Sequence, residues 1–159
     1  MCRFFHTQRG MGLIEVVVGV GIFIIIITSI IGAYRLFVRF SGATSDTVQA
    51  YFLLEEGLEV ARILRDANWD TFAGLTSAQP YYLVFSGGVW EATTTADRID
   101  GRFERTIAIF DTYRNGDDDI AASGTLDPDT YLVTATVSWD RAGVPTTKTM
   151  STYLTNLFE

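Results

Sequence analysis

The sequence predicts an α+β chain: a long N-terminal helix, membrane-spanning in its first half and amphipathic in its second, packed on a small antiparallel β-sheet. Three observations carry this prediction. Between Arg9 and Arg35 the only side chain charged at neutral pH is Glu15; from Thr47 to Ala67 apolar residues recur at three- and four-residue steps; and beyond residue 80 the period changes to two, with glycines between the runs. At 159 residues the chain is long enough for one domain with a real core and too short for two of ordinary size.

Residues 1–10 form a short leader that holds Arg3 and Arg9 and no acid. Residues 11–34 follow as the span. At about 1.5 Å per residue, the roughly 21 residues from Leu13 to Ala33 reach about 30 Å, the thickness of a bilayer core. A removable secretory signal has a shorter apolar region and a small-x-small cut site; at Ile31-Gly32-Ala33 an isoleucine stands where a small residue is needed. Arginine counts do not set the orientation, because Arg3 and Arg9 on one side face Arg35 and Arg39 on the other. The short leader and the large polar remainder place the N-terminus on the cytoplasmic side and the head outside. Gly19, Gly21 and Gly32, with Thr28 and Ser29, let helices approach closely and also weaken the helix.

Residues 35–70 continue as an extramembrane helix. Ser41-Gly42 is a weak point, and Ser45 or Asp46 would cap a helix restarted there. Ala50, Leu54, Leu58, Ala61 and Leu64 make the apolar stripe, while Glu55, Glu59, Arg62 and Asp66 take the solvated faces and Gly57 is the expected soft spot. The helix should end near Asn68-Trp69-Asp70.

Residues 71–159 form the head. Tyr81–Ser86 and Val89–Thr93 read as a β-hairpin, since Gly87-Gly88 supplies the positive φ a tight turn requires. Arg102 to Tyr113 is a third strand. Tyr131, Val133, Ala135, Val137 and Trp139 alternate with Thr134, Thr136 and Ser138 in a fourth, and Asp140-Arg141-Ala142-Gly143 turns into a last strand near Thr146 to Leu157. The striped helix should cover one face of this sheet.

Charge and composition narrow the function. The formal charge is -7, and without the leader 19 acids stand against 10 bases. A domain so acidic repels nucleic acid and anionic lipid unless its arginines cluster, so a nucleic-acid partner is unfavoured. Arg98, Arg102 and Arg105 surround Phe103, but Asp97, Asp100 and Glu104 interleave with them, which reads as an ion-paired strand. Cys2 is the lone cysteine and His6 the lone histidine. Loss of the leader would remove both, and with them Cys-His nucleophiles, histidine bases and the usual zinc ligands. The expectation is no enzyme and no cofactor.

A charge embedded in a span commonly has a partner. Left alone, Glu15 would snorkel toward the headgroups and gain from the helix N-terminal dipole. A cut after Gly10 would supply a partner, because the new α-amino group of Met11 would be a cation four residues away.

Arg9-Gly10-Met11-Gly12-Leu13-Ile14-Glu15, followed by Val16-Val17-Val18, resembles the class III signal of type IV pilins and type II secretion pseudopilins. The resemblance implies that a prepilin peptidase removes the leader after Gly10 and N-methylates Met11. It implies that Glu15 neutralises a neighbouring subunit's amino terminus during assembly. Met11 stands where phenylalanine is usual and Gly12 where threonine is common, so the first mature residue departs from the pattern. An N-terminal helix half in the membrane and half on a small sheet is also the pilin architecture. Glu56-Gly57-Leu58-Glu59 with Arg65-Asp66, and Val137-Ser138-Trp139 ahead of Tyr153-Leu154, look like minor pilins or minor pseudopilins.

The implied partners are other pilin or pseudopilin subunits, the prepilin peptidase, a membrane assembly platform and, before assembly, the lipid bilayer. The finished filament would be periplasmic or extracellular. The competing readings are a single-pass anchored extracytoplasmic binding protein and a tip pilin that binds DNA or surfaces.

One acidic segment suggests a metal. Asn115, Asp117 and Asp119, with Asp127 and Asp129, lie between strands and offer the oxygens Ca²⁺ prefers. Ile120 stands where an EF-hand-type turn needs glycine and no bidentate glutamate follows, so a solvated acidic loop competes with calcium; some pseudopilins do bind calcium in a C-terminal loop.

Overall fold

The computed structural model describes residues 11–141 and 143–157. The elements are α1 (Met11–Ala67), α2 (Trp69–Ala73), β1 (Tyr81–Ser86), β2 (Val89–Thr93), β3 (Phe103–Arg114), β4 (Ile120–Ala121), β5 (Thr125–Arg141) and β6 (Val144–Thr155). The fold is α+β, as the sequence predicts. The chain divides into two compact units that meet between Asp46 and Thr47.

In the first unit, every apolar side chain described from Leu13 to Phe40 is exposed. Such a surface is unstable in water and suited to lipid or to like helices. The helix is long and apolar enough to cross a membrane. The hydroxyls of Thr28 and Ser29 do not interrupt it: Thr28 Oγ1 donates to the carbonyls of Ile24 and Ile25 at 2.9 and 3.0 Å, and Ser29 Oγ to that of Ile25 at 2.8 Å. α1 is continuous through the weak point at Ser41-Gly42. One glycine costs only about 1 kcal/mol against alanine and no proline accompanies it. Ser45 and Asp46, the candidate caps, lie inside α1, and Thr44 Oγ1 turns back onto the Phe40 carbonyl at 3.1 Å.

In the second unit, the segment from Thr47 onward carries the predicted stripe. Ala50, Leu54, Leu58 and Ala61 are buried and Leu64 packs against them, while Leu53 and Val60 widen the buried face beyond the predicted positions. α1 ends at Ala67, where Asn68 caps α2: its Oδ1 accepts the Thr71 N–H at 2.8 Å. Phe72 of that short helix is buried with the core.

The sheet is antiparallel, in the order β2-β1-β3-β5-β6, with β4 on β3. The predicted hairpin is present, with Gly87 and Gly88 at φ 60° and 89°. Val133, Ala135, Val137 and Trp139 of β5 face the core beside Phe103, Ile107 and Ile109 of β3, closed by α1. Thr134, Thr136 and Ser138 lie on the opposite face.

β5 is longer than the sequence predicts. The β3–β5 ladder passes an irregularity after Asp111↔Tyr131 and resumes at Thr112↔Asp127, so Asp127 and Asp129 belong to a strand and not to a loop. Pro128 is tolerated because it sits where the ladder is already broken. Gly124 turns the chain back against β3: a Cβ there would lie 2.0 Å from the Arg114 carbonyl oxygen, so only glycine fits.

Candidate functional site

Glu15 is the fifth residue of α1, exposed among exposed aliphatic side chains. From Gly12 to Tyr34 it is the one ionisable group, apart from the tyrosine hydroxyl. A carboxylate on a helix bound for a low-dielectric medium is costly unless a cation meets it. Gly10, the residue before the expected cut, lies outside the described residues. Met11 opens α1, so the backbone that would carry a new amino terminus is already helical at Glu15.

The acidic segment has a different internal logic from the one its composition suggests. Asn115 Oδ1 accepts the N–H groups of Asp117 and Asp119 at 2.9 and 3.0 Å, which uses both lone pairs on a turn. Arg114, at the end of β3, donates from Nε to Asp127 Oδ2 at 2.7 Å and from Nη1 to the Asp118 carbonyl at 2.8 Å. The other Asp127 oxygen accepts the Asp129 N–H at 3.0 Å. The structure thus brings Asn115, Asp117 and Asp119 together as one turn and ties Asp127 to Asp129 on β5. Among the described residues, no three Asp, Glu, His or Cys side chains converge in a group that could hold a metal. The centre of the acidic end is a guanidinium. Arg114 stands directly before Asn115-Gly116 in the sequence, and the pairing of a strand-end arginine with a strand-start aspartate was the signal to follow.

These contacts set a pH response. Partial burial pushes the Asp127 carboxyl up, but hydrogen bonds from Arg114, Thr130 and the Asp129 backbone outweigh it and the pKa is lowered. The same bond to Asp127 raises the pKa of Arg114. A depressed carboxylate contributes stability above its unfolded pKa, about 3.9, that is lost as pH falls through the folded value. Hydrogen-exchange protection factors at the β3–β5 end, taken against the intrinsic rate at each pH, should therefore fall below about pH 4, and Asp127→Asn should flatten that acid limb. Tyr131 moves the other way: burial, then Asp111 and Asp129, raise its pKa. Its contribution is present below about pH 10 and fades above it.

The arginine cluster separates in space. Arg98 pairs with Glu104 at 2.8 Å, and Arg102 lies 5.3 Å from the Phe103 ring centre. Arg105 points inward, with its side chain 3% exposed. Its Nη1 lies 2.5 Å from Glu56 Oε2, Nη2 donates to the Leu83 carbonyl at 3.4 Å, and the guanidinium sits 5.4 Å from the centre of the Trp90 ring. Gly57 lies over the arginine. A Cβ there would stand 3.4 Å from both Arg105 Cδ and Ala135 Cβ, in ordinary van der Waals contact, so the residue expected to be a soft spot packs α1 closely against the arginine stem. Nε and Nη1 of Arg105 have no aligned hydrogen-bond acceptor.

Comparison with protein-family models, with curated proteins and with solved structures finds no match to this chain.

Proposed function

We propose that this chain is a membrane-anchored structural subunit of a pilin-type filament, a minor pilin or pseudopilin, cut after Gly10 and assembled through its N-terminal helix. One observation carries the reading. A single helix runs from an exposed apolar segment, with a carboxylate as its fifth residue, into a segment whose Ala50–Ala61 face closes an antiparallel sheet. The first part would insert in the cytoplasmic membrane and later bundle with like helices; the second would hold a rigid extracytoplasmic head. Bundling replaces lipid contacts by protein contacts, so leaving the bilayer exposes little apolar surface to water. Other subunits, a prepilin peptidase and a membrane assembly platform are the partners this implies, with no catalytic role for the chain itself.

The test is the intact mass and N-terminal sequence of the membrane-extracted protein, expressed with and without a prepilin peptidase. The expected product begins at Met11 only when the peptidase is present, with one added methyl if that residue is also methylated. A chain still beginning at residue 1 or 2 beside a competent peptidase would overturn the filament reading in favour of a plain single-pass anchor.

A further inference from the structure

The turn from β3 to β4 brings an electrophile and a nucleophile of the same chain together. Of the three asparagines, Asn68 precedes Trp69, Asn156 precedes Leu157 and Asn115 alone precedes a glycine. The following residue matters because its amide nitrogen can close a five-membered ring on the asparagine Cγ, and a side chain on that residue obstructs the closure. Gly116 has no side chain, and a Cβ there would meet nothing within 4 Å, so the approach is open. Both residues are exposed to water.

The turn prepares the electrophile. Asn115 Oδ1 accepts the N–H groups of Asp117 and Asp119 at 2.9 and 3.0 Å. A side-chain oxygen bound to the N–H two residues on lies over the peptide bond between Asn115 and Gly116, which brings Cγ to the side of the Gly116 nitrogen. Two donors on one atom also fix it as the oxygen, so Nδ2 is the group free to leave. The same donors polarise the carbonyl and remain in place for the oxyanion that forms when Cγ becomes tetrahedral.

The nucleophile is the one backbone nitrogen of the turn left unengaged. The Asn115 N–H donates to the Asp119 carbonyl at 2.9 Å, the Asp118 N–H to the Asn115 carbonyl at 3.2 Å, and those of Asp117 and Asp119 to Asn115 Oδ1. The Gly116 N–H has no acceptor among the described residues. Its proton is therefore open to removal by solvent.

We propose that Asn115 is a self-modification site, converted by the Gly116 backbone nitrogen and water into aspartate and isoaspartate. The Gly116 nitrogen loses its proton to solvent and bonds to Cγ; the Cγ–Nδ2 bond breaks, and Nδ2 takes a proton from solvent and leaves as ammonia. Water then opens the cyclic imide. Opening at Cγ gives aspartate in an ordinary backbone, whereas opening at the main-chain carbonyl routes the backbone through Cβ and Cγ as isoaspartate. Nothing is oxidised or reduced. Either product adds a negative charge beside Asp117, and the second also lengthens the turn that closes the Arg114↔Ile120 pair. The inference goes beyond the subunit reading and does not depend on processing or assembly.

The test is incubation of the full-length chain in detergent at neutral pH, followed by tryptic digestion and mass spectrometry. Cleavage at Arg114 and Arg141 releases residues 115–141, which hold no other asparagine or glutamine, so a change from amide to acid mass reads Asn115 alone. Two acid products of equal mass, aspartate and isoaspartate, should appear and separate chromatographically, while Asn68 and Asn156 stay amides. Conversion should be at least as fast in the folded chain as in a synthetic peptide of residues 112–119. Gly116→Ala should slow it at least tenfold without disturbing the turn, since Gly116 lacks the positive φ that would exclude alanine. An Asn115 that stays an amide, or that reacts more slowly in the folded chain than in the free peptide, would overturn the proposal. Aspartate without isoaspartate would also overturn it, because direct hydrolysis needs no ring, as would an unchanged rate in Gly116→Ala.

Discussion

Glu15→Ala and Glu15→Gln should leave membrane insertion intact and lower incorporation into filaments at least tenfold. The two variants separate the two environments the helix is read to occupy. In the bilayer a carboxylate among exposed aliphatic side chains is a cost, so removing it should make insertion easier. In a bundle of identical helices the same carboxylate gains if each neighbour brings a cation to it. The amino terminus freed by a cut after Gly10 is the nearest candidate, four residues from Glu15 on a backbone that is helical from Met11. A tenfold loss corresponds to about 1.4 kcal/mol, modest for a charge pair out of water. Membrane fractionation and quantified filament yield would be read side by side. Normal incorporation of both variants would remove the pairing mechanism, and loss of both insertion and incorporation would mean that Glu15 acts before assembly.

How much of this was legible in the sequence depends on how strongly each residue's neighbours constrained it. The inward parity of Val133, Ala135, Val137 and Trp139 was readable because alternation over nine residues has one solution when a single face is buried. The Gly87-Gly88 hairpin was readable from backbone chemistry alone. The start of β5 was not: Asp127, Pro128 and Asp129 have the composition of a loop, and only the partner strand β3 with Arg114 makes that stretch a ladder. For the same reason two of the five groups that suggested a cation site, Asn115 and Asp127, have side-chain oxygens engaged by backbone N–H groups and a guanidinium, partners that spacing cannot show. Ser41-Gly42 looked like a weak point because local propensity is all that a sequence offers there, whereas continuity of the helix is decided by the whole of α1. Of the site residues, Glu15 was visible at once because nothing else in its surroundings is charged. Arg105 was missed because it was grouped with Arg98 and Arg102 by proximity. Parity would have corrected that, since it alternates with Phe103, Ile107 and Ile109 on the buried side of β3.

That misplaced arginine carries the largest stability effect we expect in the head. Breaking a buried ion pair by deleting one partner costs about 3–5 kcal/mol, because a desolvated charge is left behind. The Glu56 side chain is 45% exposed and Arg105 only 3%, so the two ends of this pair are not equivalent. Glu56→Ala leaves the guanidinium beneath Gly57 with the Leu83 carbonyl and the Trp90 ring, and should cost about 3 kcal/mol, near the low end of that range. Arg105→Met removes the charge and the two donors that lack aligned acceptors while keeping a long apolar stem over Trp90. It should be close to neutral, since replacing a buried charge by packed apolar atoms commonly is. The two substitutions should therefore be strongly non-additive, the double variant resembling Arg105→Met and not the sum. Hydrogen-exchange protection of β3 and β5 in the full-length protein gives the readout. If Arg105→Met proves the more damaging and Glu56→Ala nearly silent, the arginine is held by Trp90 and the Leu83 carbonyl, and the helix is fixed to the sheet by the apolar seam of Leu54, Leu58 and Ala61 without help from the ion pair.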